Sequence, residues 1–268
     1  MTLIDPPGYY PDLFVNREKE IKTVTSALQN IACGNAEQRQ VIVFHSERGL
    51  GKSWLVLHLH RSAIASTPIQ NYRIVSFLIS LTPPPERLQK GEREWYIPNN
   101  DISQIASGDE QHYEHLLQNL LAWVAKQLDI VRSPYASLRD LSAWLAQDLR
   151  KKLESEQDLI ICLILDSVFE ANRSFLDDLE RYLLAALAAL PRVLIIMTGR
   201  GRPYLWKSPY LRIEREDQSL TPFSLEQVAE QIRRSLRDIS VTANLSDEAI
   251  EQLAKKVINL GGGYPLTN

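Results

Sequence analysis

Cysteine is almost absent from this chain. Only Cys33 and Cys162 occur among 268 residues, far apart, and Cys162 lies inside an apolar run. That excludes a disulfide framework and fits reduced thiols in a cytoplasmic protein. Long hydrophobic runs are lacking too. No stretch reaches eighteen apolar residues, and Leu183–Leu190 halts at Pro191, so it reads as a buried helix segment and not a membrane span. A surplus of one charge is missing: 30 Lys and Arg face 33 Asp and Glu, a net charge of −3. Bulk electrostatics therefore favour neither nucleic acid nor a membrane surface. The polar, proline-rich segment after Met1 carries no secretory signal. His58 with His60, and His112 with His115, lack the further ligands a zinc site needs. No Asn-Lys-x-Asp segment and no nucleophile triad occur.

What is present alternates. Short apolar, Val- and Ile-rich segments at 40–45, 72–80, 159–165, 193–198 and 210–214 read as strands. Helical periodicity covers 17–35, 52–66, 111–129, 136–155 and 173–189. Strands alternating with helices predict an α/β fold: a parallel five-stranded sheet with helices on both faces, three layers in all. Residues 1–12, with Pro6, Pro7 and Pro11, read as an irregular leader. Pro83-Pro84-Pro85 opens a polar stretch to about residue 108, taken as a surface insertion. After residue 218 the strand signals stop. Helices follow at 224–238, opened by a Ser224/Gln227 capping box, and at 246–260. The expected division is a nucleotide-binding domain over 1–217 and a small helical lid over 218–268.

The richest signal is Ser46-Glu47-Arg48-Gly49-Leu50-Gly51-Lys52-Ser53. The strand-like Val41-Ile42-Val43-Phe44 leads into it, and Trp54-Leu55-Val56-Leu57 leads out as a helix. Strand, glycine loop and helix in this order form a phosphate-binding loop. Gly49 and Gly51 let backbone N–H groups converge on phosphate oxygens, and the helix N-terminus adds positive potential. Lys52 can reach the β- and γ-phosphates, and the Ser53 hydroxyl can ligate Mg²⁺. Ser46 stands where the motif has its first glycine. A metal-binding carboxylate is expected at the end of a neighbouring apolar strand. Leu159-Ile160-Ile161-Cys162-Leu163-Ile164-Leu165-Asp166 fits, with Asp166 at the strand's exit. Hydrolysis also needs a group to orient or deprotonate water. Ser167 follows Asp166, and Glu170 is the nearest carboxylate.

Further segments resemble a known family. Phe14-Val15-Asn16-Arg17-Glu18 is similar to the box that precedes the phosphate loop in STAND ATPases, an AAA+-related class. Asp166-Ser167-Val168-Phe169-Glu170 resembles the NACHT form of the Walker B strand, with one acidic position fewer. Thr198-Gly199-Arg200 resembles sensor 1, and Gly263-Tyr264-Pro265-Leu266 the lid motif. The resemblance implies that Val15 lies against adenine and Arg17 near the nucleotide, that Arg200 senses the γ-phosphate, and that Pro265 holds adenine or ribose from the lid. It implies ATP or ADP with Mg²⁺ as ligands, Ser53 and Asp166 on the metal, and Asp166, Glu170 and Arg200 in catalysis. The remaining nucleotide contacts would come from Ser46 to Trp54. Family members continue into a winged-helix domain, so this chain is expected to be a module of a longer protein.

Three functions follow from this set. The first is a STAND-type ATPase switch whose nucleotide state controls oligomerisation through regions beyond this chain. The second is an AAA+ ATPase regulating a DNA transaction, for which the net charge gives no support. The third is a nucleotide-binding scaffold without hydrolysis.

Overall fold

The computed structural model describes residues 14–34, 40–69, 71–84, 88–107, 110–130, 137–213, 215–238 and 245–261. At its centre is a parallel sheet of strands β1 (Val41–Ser46), β2 (Arg73–Ser80), β3 (Glu94–Tyr96), β4 (Leu159–Asp166), β5 (Val193–Arg200) and β6 (Arg215–Ser219), in the spatial order β3-β2-β4-β5-β1-β6. The five-stranded expectation is thus corrected to six.

Both faces of the sheet are covered, and the alternation of side chains shows why. Val41, Val43, Ile161, Leu163, Leu165, Val193, Ile195 and Met197 join one core; Ile42, Phe44, Ile160, Cys162, Ile164, Leu194 and Ile196 join the other. A strand buried on both sides must be apolar at every position, which is what makes β4 and β5 legible as unbroken runs. Helices α3 (Ile102–Ser107), α4 (Glu110–Gln127), α5 (Leu138–Ser155), α6 (Arg173–Leu179) and α7 (Ala185–Ala188) supply the first core. Helices α1 (Glu18–Ala32) and α2 (Lys52–His58) supply the second. Helix α5 shows the sequence logic. Ser137 caps it by accepting from the Asp140 N–H, and Leu138, Leu141, Leu145, Leu149 and Leu153 form one buried stripe. Truncating a leucine of this stripe, such as Leu145→Ala, costs about 2–5 kcal/mol.

Two strands depart from the sequence reading for physical reasons. Residues 209–213 form a short helix, α8 (Pro209–Ile213), and the strand lies just after it at Arg215–Ser219. That strand is a sheet edge bonded only to β1. An edge strand half open to solvent carries no apolar run, so its polar sequence hid it, while the buried Leu211 drew the strand assignment onto a helix. The polar insertion likewise holds β3, which pairs in parallel with β2 and buries Trp95. Beyond the sheet, α9 (Leu225–Asp238) and α10 (Asp247–Gly261) pack on each other around Val228, Ala229, Ile232, Ile250 and Ala254, and Val15 and Phe223 join them. Ser224 and Gln227 make the reciprocal capping bonds at the start of α9.

Candidate functional site

The loop from Ser46 to Lys52 follows the buried strand β1 and opens α2. Gly49 has φ 85° and Gly51 φ 80°, both left-handed, which other residues adopt only with strain. Lys52 is buried, and its Nζ donates to Ser46 O at 3.0 Å, Ser46 Oγ at 3.1 Å and Glu47 O at 2.7 Å. The ammonium therefore closes the loop from within. Ser46, in place of the usual glycine, contributes its hydroxyl to that closure. Burial lowers the Lys52 pKa, opposed chiefly by the charge of Glu170 and then of Asp166. Glu47, Arg48, Gly49 and Ser53 are exposed around the loop, Leu50 is buried, and Trp54 is half-buried.

Asp166 ends β4 and is buried. Its strand does not touch β1, because β5 lies between them. The parallel register still sets the ends of β1, β4 and β5 at one edge of the sheet, and the Ser53 hydroxyl donates to the Asp166 carboxylate. Thr198 Oγ1 donates to Asp166 Oδ1 at 2.5 Å, and Ser80 Oγ approaches Oδ2 at 3.5 Å. Burial pushes the Asp166 carboxyl up; the hydrogen bonds from Thr198 and Ser53 and the charge of Lys52 pull against it. From sequence, Thr198 was named only as part of the sensor 1 resemblance and given no role of its own, and Ser80 was not named. The signal was present in both: a hydroxyl residue where an apolar strand meets the sheet's C-terminal edge.

Past Asp166, Ser167 takes a left-handed φ of 60° and turns the chain into a short 3₁₀ turn over Val168–Glu170. The turn aims Glu170 toward β5, where Arg200 Nε lies 3.2 Å from Glu170 Oε1. Burial raises the Glu170 pKa, Arg200 lowers it, and the nearby Asp166 raises it. Phe169 packs directly over Gly199. A methyl group on Gly199 would lie 2.7 Å from Phe169 Cβ and Cγ, so only glycine fits there without displacement.

Arg17 is buried in the gap between the loop and the C-terminal helices. Its Nη2 donates to Leu50 O at 2.9 Å and to Thr221 O at 3.1 Å, and the guanidinium stacks over Phe223 at 4.9 Å. Val15 is buried in the core of the C-terminal helix pair. Pro265 lies outside the described residues.

The donor set suits a nucleotide phosphate with a hard cation. Two left-handed glycines, a loop lysine and a serine hydroxyl touching a carboxylate meet at one sheet edge. Among the described residues no cluster of three or more His, Cys, Asp or Glu could hold a metal by itself. A cation held partly by phosphate oxygens needs no such cluster. No helix among the described residues is long and apolar enough to cross a membrane.

No protein-family model matches the sequence, and no curated protein matches it. Solved structures do. PCH-2 of Caenorhabditis elegans superposes with a TM-score of 0.52 at 10% identity, over 93% of this chain and 62% of that one. ORC1 of Aeropyrum pernix, solved in complex with DNA, gives 0.53 at 12% identity over 93% and 62%. A chain of the Escherichia coli HORMA, CdnC and Trip13 complex gives 0.51 at 12% identity over 94% and 78%. The likeness shows a shared fold: an α/β parallel sheet followed by C-terminal helices. The chain spans about 62% of the length of PCH-2 and of ORC1.

Proposed function

We propose that this chain binds ATP and ADP with Mg²⁺ and hydrolyses ATP, as the nucleotide-binding module of an AAA+-related ATPase. The observation that carries the reading is the convergence of Lys52, Ser53, Asp166, Thr198, Glu170 and Arg200 at one sheet edge, from two strands, a 3₁₀ turn and a helix. Gly49 and Gly51 present backbone N–H groups to the phosphates, and Lys52 swings from the loop carbonyls to the β- and γ-oxygens. Ser53 and Asp166 hold the cation, which neutralises charge on those oxygens when bound. Thr198 keeps the carboxylate aimed. Glu170 accepts the proton of the attacking water, and its upward pKa shift suits a base acting nearer neutral pH. Arg200, 3.2 Å from Glu170 in the structure, would exchange that carboxylate for the γ-phosphate when nucleotide binds. Residues 1–217 are assigned to the nucleotide domain and 218–268 to a lid, and Val15, buried in the core of α9 and α10, supports that lid and does not face the base. Cys33 and Cys162, both free thiols, fit a reducing cytoplasm.

Of two readings of its output, action on a DNA transaction is the better supported. The ORC1 neighbour was solved in complex with DNA. Here the segment after β5 exposes Arg202 and Arg212, cations suited to phosphate contact, while Lys207 is paired with Asp177 at 2.9 Å. The second reading is a STAND-type signalling switch that self-associates with ATP, on the strength of the motifs from Phe14 to Leu266. Fluorescence anisotropy with duplex DNA, with and without ATP and at two salt concentrations, separates them. Binding that weakens with salt supports the DNA reading. No DNA binding together with ATP-dependent self-association supports the switch.

A further inference from the structure

We propose that Arg17 is a positioning residue: it orients the Gly51 N–H for the nucleotide phosphate and transmits the state of the loop to the C-terminal helices. This deepens the nucleotide reading above and rests on it. The argument starts from the peptide plane. Leu50 C=O and Gly51 N–H belong to one trans peptide, because no peptide bond in the described chain is cis. In a trans unit these two groups point in opposite directions. Arg17 Nη2 holds Leu50 O at 2.9 Å, so the Gly51 N–H points away from Arg17, to the side on which the phosphate is to bind. Gly51, at φ 80°, sits where the chain is most free to rotate; without an anchor on Leu50 O that peptide has little to fix its direction. The anchor is itself firmly held. Arg17 is buried, lies 3.4 Å from Glu20 Oε1, and takes a left-handed φ of 72° beside Asn16 at 66°. Two adjacent strained residues mark a segment held by its surroundings.

The same Nη2 also donates to Thr221 O, in the link between β6 and α9, and the guanidinium plane covers Phe223. Phe223 belongs to the core of α9 and α10, together with Val15, two residues before Arg17. Arg234 of α9 closes the circuit by donating to Phe14 O at 2.6 Å. One planar, always-charged group thus bridges a loop carbonyl and a carbonyl at the start of the helix pair, a geometry the single ammonium of lysine does not reproduce. Any rotation of the Leu50–Gly51 peptide on phosphate binding must change what Thr221 and Phe223 feel. Arg17 contacts the Leu50 carbonyl, the opposite side of the peptide unit from the Gly51 N–H.

Hydrogen exchange and calorimetry with ADP test the proposal. In the wild-type chain, ADP should slow exchange in residues 47–54 and 219–236 together. Protection confined to 47–54 overturns the coupling. Arg17→Lys should weaken ADP binding about tenfold and abolish the protection of 219–236. Glu20→Gln, which leaves both carbonyl contacts in place, should hold affinity within about twofold. Lys52→Ala reports on the underlying reading: if it loses ADP while Arg17→Lys keeps wild-type affinity and protection, the nucleotide reading stands and the role of Arg17 falls. If Arg17→Lys does not fold, the wild-type exchange pattern decides alone.

Discussion

Gly199→Ala is the sharpest perturbation the site offers, because its effect divides into parts that can be measured separately. Gly199 does not have a left-handed backbone, so alanine strains nothing by conformation there. Its added methyl instead meets Phe169 at 2.7 Å from both Cβ and Cγ. A rotamer change moves Cγ and the ring but not Cβ, so the contact at 2.7 Å to Cβ remains. The 3₁₀ turn carrying Phe169 must move. Overpacking of this kind costs about 1–3 kcal/mol. At roughly 2–4 °C per kcal/mol for a domain of this size, Tm should fall by about 2–12 °C. The functional effect is larger, because the same turn carries Glu170, held 3.2 Å from Arg200. A shift of about 1 Å in a reacting group can cost on the order of a hundredfold. Turnover should therefore fall at least about tenfold, read by phosphate release at saturating ATP. Gly201→Ala is the control: φ is +65° and no atom lies within 4 Å of the added methyl. It should cost about 1–2 kcal/mol of backbone strain and leave turnover near wild type. Wild-type Tm and turnover in Gly199→Ala would refute the reasoning.

Two further outcomes follow from the carboxylates. Burial holds the Asp166 carboxyl above its ordinary value. Its contribution to stability is therefore fully present below the unfolded pKa and lost as pH rises through the folded one. Asp166→Asn should thus raise the Tm of the nucleotide-free chain at pH 7 and flatten its fall above the ordinary carboxylate range, while weakening Mg²⁺-dependent more than Mg²⁺-free nucleotide binding; a lower Tm at pH 7 would count against the burial argument. Glu170→Gln should cut phosphate release at least about tenfold with ATP affinity nearly intact, since a positioned base contributes about 10²–10⁴-fold; equal turnover would return Glu170 to a surface role and favour a scaffold without hydrolysis.

The central layers and the loop were legible because their chemistry leaves no choice. A strand covered on both faces must read as Leu159–Leu165 does, and a turn with φ near 80° at two positions calls for glycine. The edges were not legible, because β6 and β3 each bond to one neighbour and neither carries a long apolar run. Within the site, Asp166 and Lys52 announced themselves by charge after an apolar run or by motif. Thr198 entered only through the sensor 1 resemblance, without its bond to Asp166, and Ser80 not at all, since a hydroxyl at a strand end has many uses and only the register of β2, β4 and β5 brings both to one carboxylate. The carbonyl contacts of Arg17 were beyond reach of any motif: they join residues 33 and 204 positions apart.

The central claim is that Lys52 leaves the loop carbonyls for nucleotide phosphates. Titration calorimetry of the wild-type chain and Lys52→Ala with Mg-ATP and Mg-ADP tests it most directly. Removing one charge-assisted phosphate contact costs about 1.5–3 kcal/mol, so affinity for both nucleotides should fall roughly ten- to a hundredfold. Equal affinity in the two proteins, or no binding by the wild type, would contradict it.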